Sequence, residues 1–284
     1  MSIAGAVSNA AREAAESGYG AFQLFTASSR SWEQKAIGAA DAEEFARCAK
    51  SCDTEPFAHI PYLCNLASAN PEVLAKSRLM LVQNMRNCAT LGIGSLVIHM
   101  GSHLGKGMEY GISSIIESLG QALDSVHGVR ILLENTSGYT NSIGSTFSEI
   151  SRVSDGFPSS RVGVCLDTCH AFAAGYELRT PAGIDAMVRE LDSQVGLKRL
   201  GLVHLNDAKF DRGSKLDRHW HIGKGFIGRK GFAAFFGNEA FRSGSFVMET
   251  PVNAEGDDAS NAGALLSLLD DAGIAIHHAR AMTA

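Results

Sequence analysis

Six short apolar runs in this chain each end in a side chain that can bind a metal ion. Those at residues 57–59, 96–99 and 202–204 end in His59, His99 and His204, and those at 131–134, Val162–Asp167 and 246–249 end in Glu134, Asp167 and Glu249. Nitrogen and oxygen ligands without thiolate fit zinc or manganese, and the share of histidine favours zinc. If the six side chains converge, they predict a site for more than one metal ion.

Two pairs of a carboxylate and an imidazole lie at close spacing. His170 comes three residues after Asp167, and His219 comes two after Asp217. Each pair can face neighbouring ions from one rigid element. Taken alone, the first pair is almost equally consistent with a helix capped by Asp167 and a solvated His170. The second pair alone is better explained as a polar surface turn, but the glycines between 213 and 228 place it in a long loop that a ligand would order.

The carboxylates at the ends of two apolar runs, Glu134 and Glu249, need a partner. A buried carboxylate without one is costly, so a metal ion or an arginine must offset its charge. Any single histidine of this set is more often a satisfied core residue. Three histidines beside three carboxylates at strand ends favour a metal site instead.

The spacing of the runs predicts the elements that position these side chains. A seventh run, Ala21–Phe25, has no ligand at its end, and the seven recur at roughly the length of one strand–helix unit. In a parallel barrel the carboxyl ends of all strands open onto one face, where catalytic groups collect. We therefore expect an α/β fold, a parallel (β/α) barrel of the TIM type, as a single domain over residues 1–284. Such a barrel has eight strands, so its first strand is expected to be missing from this chain.

Apolar spacing and capping signals predict helices between the runs. Asn70 and Thr180 are expected to cap two of them, each with proline in the first turn. The predicted helices are 4–17, 41–52, Pro71–Leu91, 112–126, 147–153, Pro181–Gln194, 230–236 and 261–271. We expect His170 on a loop, and Cys48 and Cys52 within a helix as small buried residues.

The composition is that of an ordinary globular protein of 284 residues, 45% hydrophobic and 19% charged. No apolar stretch reaches the roughly 18 residues of a membrane span and no secretory signal is apparent, so we expect no membrane partner. Six scattered cysteines indicate reduced thiols and a cytoplasmic location. The net charge of −5 argues weakly against a nucleic-acid partner, although bound zinc ions would make the active face more positive.

With these residues in view, the chain resembles the endonuclease IV (deoxyribonuclease IV) family of apurinic/apyrimidinic endonucleases over nearly its whole length. The most specific segments are Cys165-Leu-Asp-Thr-Cys-His-Ala-Phe-Ala-Ala-Gly-Tyr176, His204-Leu-Asn-Asp207 and Asp217-Arg-His219. The first of them contains two of the candidate ligands. Several such segments in the same order make coincidence implausible.

The resemblance implies a barrel that holds three zinc ions. The ligands would be His59, His99 and Glu134 for the first ion, Glu134, Asp167, His204 and Glu249 for the second, and His170, Asp217 and His219 for a third, more exposed ion. Glu134 and Glu249 would also be the catalytic residues that orient the attacking water.

The activity that the resemblance implies is that of a metal-dependent phosphodiester hydrolase of the deoxyribonuclease IV (phage-T4-induced) type. It would cut duplex DNA 5′ to an abasic site in base excision repair and leave a 3′-hydroxyl and a 5′-deoxyribose phosphate. Arg30, Tyr62 and Leu63 match the family's DNA-inserting residues and would wedge into the duplex where a base is missing. The enzyme would act as a monomer that needs no protein partner.

The chain departs from the family pattern around Arg30. Residues 27–31 lack the lysine, asparagine and glutamine that commonly flank this arginine, which weakens one DNA-contact loop. Two other functions stay open. A sugar isomerase of the xylose isomerase-like type shares the barrel but would use one or two ions on a polyol, and a catalytically disabled damage-binding relative would result if the first strand were lost.

Overall fold

The computed structural model describes residues 1, 6–51, 53–254 and 256–274. Within this part of the chain the Cα positions form two compact units. The first contains Met1–Leu133 and Gly156–Gly163, and the second contains Glu134–Asp155 and the described chain from Val164 onward. The prediction of a single domain stays a prediction. The helix ends predicted at residues 4 and 52 lie outside the described residues.

The first unit alternates helices and strands from its start. Its elements are α1 (Ser8–Glu16), β1 (Ala21–Phe25), α2 (Ala39–Ser51), β2 (Glu55–His59), α3 (Pro71–Leu91), β3 (Ser95–His99), α4 (Met108–Ser125) and β4 (Arg130–Glu134), whose last residue belongs to the second unit. Successive helices pack on one another, α1 on α2, α2 on α3 and α3 on α4. The Phe22 and Phe45 rings, 6.1 Å apart, join β1 to α2 in the core.

The second unit continues the alternation. Its elements are α5 (Phe147–Ser154), β5 (Val162–Asp167), α6 (Thr168–Ala174), α7 (Pro181–Gln194), β6 (Leu200–His204), β7 (Asp207–Ala208), β8 (His219–Trp220), α8 (Gly228–Gly237), β9 (Phe246–Val247) and α9 (Asp257–Asp271). The first two residues of β5 belong to the first unit. Helix α7 packs on α5 and α8, and α8 also packs on α9.

Seven strands of the described chain form one sheet, in the order β1-β2-β3-β4-β5-β6-β9. The pairings of β1 with β2, β2 with β3, β5 with β6 and β6 with β9 are all parallel. Strands β7 and β8 form a separate antiparallel ribbon. Chain-order pairing of parallel strands with helices between them is the arrangement that the seven runs predicted.

The strands are continuous apolar runs because parallel sheets are covered on both faces. All six residues of β5 are buried, and so are the last four of β4. Polar side chains therefore concentrate where each strand ends.

The predicted caps of two helices are confirmed. The Asn70 side chain accepts hydrogen bonds from the N–H groups of Glu72 and Val73, and Gly92 ends α3 with a φ of 72°. The Thr180 side chain accepts from the Gly183 N–H at the start of α7. Both helices have the predicted bounds because capping residues and proline define their first turns.

Other boundaries differ from the prediction. Helices α4, α8 and α9 begin at Met108, Gly228 and Asp257, earlier than their apolar spacing indicated. Strand β9 ends at Val247, so Glu249 follows it by two residues instead of ending it.

The prediction of a loop around His170 is wrong. Asp167 is the last residue of β5 and also the N-cap of α6, because its Oδ1 accepts the His170 N–H at 2.7 Å. His170 therefore lies in the first turn of a helix, and it is buried rather than solvated. Helix α6 has seven residues, too few for a helical period to be recognised beside a strand.

No helix in the described part of the chain is both long and apolar enough to cross a membrane. The described cysteines, including Cys48, are buried and form no disulfide. Cys52 lies outside the described residues.

Candidate metal centre

Neighbouring strand ends bring one set of predicted ligands together in the second unit. Glu134, Asp167 and His204 are the last residues of β4, β5 and β6, and the sheet register pairs Asp167 with His204. One ligand atom from each of these residues and from Glu249 lies within 4.8 Å of the others. We call Glu134, Asp167, His204 and Glu249 the buried ligand group.

His204 lies among the carboxylates of this group. Its Nδ1 is 3.0 Å from Glu134 Oε1 and 3.2 Å from Glu249 Oε2. Burial disfavours the protonated ring, but interactions with Cys165 and the two glutamates more than offset burial and raise the pKa of His204 well above its usual value. The excess negative charge calls for a cation, either a proton on His204 or a metal ion.

A second set of ligands lies around α6 and the ribbon. His170 Nε2 is 3.1 Å from Asp217 Oδ1, and His219 Nε2 is 3.5 Å from the same oxygen. We call His170, Asp217 and His219 the outer ligand group, because the Asp217 side chain is half exposed. Burial disfavours protonated His170, but Asp167, Asp217 and Glu134 around it raise its pKa well above the usual value.

The orientation of both imidazoles in the outer group fits a metal ion. His170 Nδ1 lies 3.0 Å from the Asn135 carbonyl oxygen, and His219 Nδ1 lies 3.0 Å from the Glu249 carbonyl oxygen. A ring whose Nδ1–H donates to a carbonyl keeps a lone pair on Nε2 for a cation. His219 Nε2 is buried and makes no hydrogen bond within the described residues, while Asp167 Oδ2 faces it at 3.6 Å. A metal ion between this nitrogen and the carboxylate oxygen would be bound by both atoms.

One potential ligand was not predicted. The Cys169 thiol groups with Asp167 and His219 within the same distance limit. Its Sγ donates to the Arg218 carbonyl at 3.5 Å, and burial raises the pKa of the thiol far above its usual value. A protonated thiol is a poor ligand, so nitrogen and oxygen donors dominate the site.

The first unit brings two further predicted ligands together. The rings of His59 and His99, at the ends of β2 and β3, have their centroids 5.1 Å apart. His59 Nδ1 lies 2.6 Å from the Ile60 carbonyl oxygen, which leaves Nε2 as the acceptor of this buried ring. Tyr62 packs against both rings, with centroids at 5.5 and 5.8 Å.

Asn206, which was not predicted as a site residue, connects two of the ligands in the buried group. Its Nδ2 donates to Asp167 Oδ2 at 2.7 Å, and its Oδ1 accepts the Glu249 N–H at 2.7 Å. The Asn206 N–H is bound in turn by Thr168 Oγ1 at 2.9 Å. Asn206 is fully buried, and these hydrogen bonds fix the Asp167 carboxylate and the backbone at Glu249.

Asp207 orders the glycine-rich loop after His219. This buried carboxylate accepts N–H groups of Gly225 at 2.9 Å and Ile227 at 3.0 Å. Burial raises the pKa of Asp207, although the backbone N–H groups partly offset that effect. The loop that was expected to need a ligand is therefore held at one end by a side chain. The segment His204-Leu-Asn-Asp207 contains both Asn206 and Asp207, but single residues give no sequence signal for such contacts.

The predicted DNA-contact residues lie in loops of the first unit. Tyr62 is 63% exposed although its ring packs on His59 and His99, and Leu63 is also exposed. Arg30 is exposed in the loop between β1 and α2. An aromatic side chain that packs against neighbouring rings and is still mostly exposed is suited to stacking on a nucleotide.

Comparison with known proteins identifies the class. The family described as xylose isomerase-like TIM barrel matches residues 11–271, so the chain belongs to that class. The predicted parallel barrel is thereby confirmed. The solved structure of a D-tagatose 3-epimerase-like protein shares this fold with a TM-score of 0.72, over 92% of each chain at 18% identity.

Within this class the chain belongs to the endonuclease IV family. It is 44% identical to the probable endonuclease 4 of Cenarchaeum symbiosum over 92% of this chain and 95% of that protein. The crystal structure of endonuclease IV from Thermus thermophilus matches with a TM-score of 0.85 and 33% identity, over 95% of this chain and 97% of that one. The predicted family is confirmed.

Proposed function

We propose that this protein is a zinc-dependent endonuclease that hydrolyses the phosphodiester 5′ to an abasic site in duplex DNA. The products would be a 3′-hydroxyl and a 5′-deoxyribose phosphate, in base excision repair. The observation that carries the proposal is the pair of ligand groups in the second unit, in a chain that belongs to the endonuclease IV family.

Three zinc ions per chain are proposed, with the ligands that the resemblance implies. His59, His99 and Glu134 would hold the first, Glu134 would bridge to the second in the buried ligand group, and the outer ligand group would hold the third. When bound, zinc supplies Lewis acidity that polarises phosphate oxygens and lowers the pKa of water. The donor set of imidazole and carboxylate, with imidazole lone pairs oriented by carbonyls, supports zinc over magnesium.

The residues of the chain would position the reactants. Glu249 Oε2 and Glu134 Oε1 both lie within 3.2 Å of His204 Nδ1, so the two carboxylates are close enough to orient one attacking water between them. Glu249, whose side chain is 19% exposed, is the one that a phosphate can reach from solvent. It would accept the proton of the water as the new bond to phosphorus forms and the bond to the 3′ oxygen breaks. The leaving 3′ oxygen would take a proton from solvent to become the 3′-hydroxyl.

The loops of the first unit would bind the damaged duplex. Tyr62 and Leu63 would enter the stack at the missing base, and Arg30 would contact the strand beside it. We also propose that the protein acts in the cytoplasm as a monomer.

A sugar isomerase is less well supported. That activity would leave the outer ligand group, which contributes two imidazoles and a carboxylate beyond the buried group, without a role. A disabled relative is not supported either, because all nine predicted ligands are present in the chain.

Incision of an end-labelled duplex with one tetrahydrofuran abasic analogue tests the proposal. This analogue cannot undergo β-elimination, so a cut requires hydrolysis. We expect a single cut that leaves a 3′-hydroxyl, is lost with a chelator and returns with zinc, while the undamaged duplex stays intact. Folded, zinc-loaded protein that makes no cut would refute the proposal.

A further inference from the structure

The loop that carries Arg30 is irregular, yet polar side chains tie it to the core. It runs from the end of β1 to the start of α2, and three of its residues near Arg30 are serines. An exposed loop of this composition is expected to sample many conformations unless something holds it.

Two buried asparagines of α3 lie beneath this loop. Asn84 and Asn87 are three residues apart, so they share one face of the helix, and they are 0% and 1% exposed. Asn84 Oδ1 accepts the Thr26 hydroxyl at 2.8 Å, which fixes the start of the loop. Asn87 Nδ2 donates to the Lys35 carbonyl at 3.0 Å, which fixes its far part.

Gln34 joins these asparagines to the turn around Arg30. Its Oε1 accepts from Asn84 Nδ2 at 3.2 Å. Its Nε2 donates to the Ser31 carbonyl at 2.7 Å and to the Ser28 carbonyl at 3.3 Å. One amide therefore binds the helix on one side and the backbone on both sides of Arg30 on the other.

We infer that Gln34, Asn84 and Asn87 form an amide clamp that holds the Arg30 loop in its DNA-binding conformation before DNA arrives. These are positioning residues, and the inference rests on the proposed contact of Arg30 with DNA. A loop ordered in advance loses less conformational entropy on binding, so the clamp favours affinity and leaves the chemical step unchanged.

The test uses Gln34→Ala in the zinc-loaded full-length protein. Gln34 is partly exposed, and in its absence the buried Asn84 Nδ2 keeps its hydrogen bond to the Met80 carbonyl at 2.8 Å. We expect KM for the abasic duplex to rise about tenfold, with kcat, zinc content and melting temperature unchanged. Hydrogen exchange of the amides at residues 27–37 in the DNA-free protein should become faster. Gln34→Glu keeps the acceptor for Asn84 but loses the donor to the two carbonyls, so it should behave like Gln34→Ala.

The matched control is Gln121→Ala, which removes an exposed amide of α4 that donates to Glu117 Oε1 at 3.0 Å. It should leave KM and loop exchange unaltered. Unaltered loop exchange or KM in Gln34→Ala overturns the clamp.

Arg30→Ala separates this inference from the proposed function. If Arg30→Ala raises KM and Gln34→Ala does not, the clamp fails while the DNA contact stands. If neither raises KM, the proposed contact of Arg30 fails and the clamp with it. Loss of incision in the unsubstituted protein would instead refute the proposed activity.

Discussion

At the residue scale, the two ligand groups of the second unit contain more carboxylates than imidazoles. Protonation of the imidazoles alone therefore cannot neutralise the carboxylates. Glu134 and Asp167 are fully buried, and the raised pKa values of His170 and His204 reflect the negative charge around them. Buried carboxylates are stable only with such compensation. The two ligand groups therefore favour bound cations. A histidine that is protonated in the metal-free protein must release a proton when a metal ion binds.

Glu249→Gln should lower turnover on abasic duplex by roughly 10²- to 10⁴-fold, because an amide accepts a proton poorly and brings no charge to the site. With the zinc content verified as unchanged, the affinity for DNA should change little, since loops of the first unit carry the proposed contacts. Turnover and the dissociation constant are measured separately, with the exposed Glu239→Gln as the matched control. Unchanged turnover would remove Glu249 from its catalytic role.

Asn206→Leu should weaken zinc binding by roughly 10- to 100-fold, the usual cost of losing a hydrogen bond to a ligand. The variant loses the bond to Asp167 Oδ2 and the acceptor for the Glu249 N–H with little change in side-chain volume. Competition with a chromophoric chelator measures the affinity, and Asn238→Leu, at a half-buried position outside the ligand groups, is the control. Equal affinity in folded Asn206→Leu protein would contradict the positioning role.

At the element scale, the sequence predicted the strands and helix ends that follow from apolar spacing and capping residues. It did not predict the features that depend on hydrogen bonds between single residues. Five of the six ligand-ended runs became strands that end at the ligand, and the run at 246–249 became β9, two residues short of Glu249. Buried parallel strands need continuous apolar residues and place polar groups at their ends. The bounds of α3 followed from Asn70, Pro71 and Gly92, whose conformational preferences are local.

What the sequence did not predict has two causes. Helix α6 is too short to show a helical period, so the capping bond from Asp167 was only one of two interpretations of this segment. The remaining misses are tertiary contacts. The bonds of Asn206, Asp207 and the amide clamp mostly join residues that are far apart in the sequence, so no local spacing reports them. The sequence could predict which residues are candidate ligands, but it could not predict the groups that orient them.

The segment between α6 and α7 gives a pH-dependent prediction. Glu177 accepts hydrogen bonds from the Arg179 guanidinium at 2.9 and 2.7 Å, and these lower the pKa of Glu177 to about 2. A carboxyl with a lowered folded pKa stabilises the protein above its unfolded pKa, about 4.5, and this contribution is lost as the pH falls towards 2. Because the pair is partly exposed, its contribution is about 1 kcal/mol.

Urea unfolding of the wild type and Glu177→Gln across this pH range measures the contribution. We expect the variant to be less stable by about 1 kcal/mol near neutral pH and the difference to disappear as the pH approaches the folded pKa. A difference that persists at low pH would mean that packing, not charge, accounts for it.

At the scale of the whole molecule, the charge of the protein depends on its metal content. The chain has a formal net charge of −5, which disfavours a polyanion. The three proposed zinc ions would add six positive charges, so −5 + 6 gives about +1. That change falls at the ligand groups, where the proposed function places the phosphate.

Removal of zinc should therefore weaken DNA binding even where no cleavage is possible. On an undamaged duplex, chelated protein should bind at least about tenfold more weakly than zinc-loaded protein, because phosphate affinity is electrostatic. The dependence of log Kd on log salt should also become shallower. Magnesium should not restore binding, because imidazole ligands select zinc over a hard oxygen-seeking ion. Equal affinity and equal salt dependence with and without zinc would show that the loops of the chain bind DNA by themselves and that the metal acts only in hydrolysis.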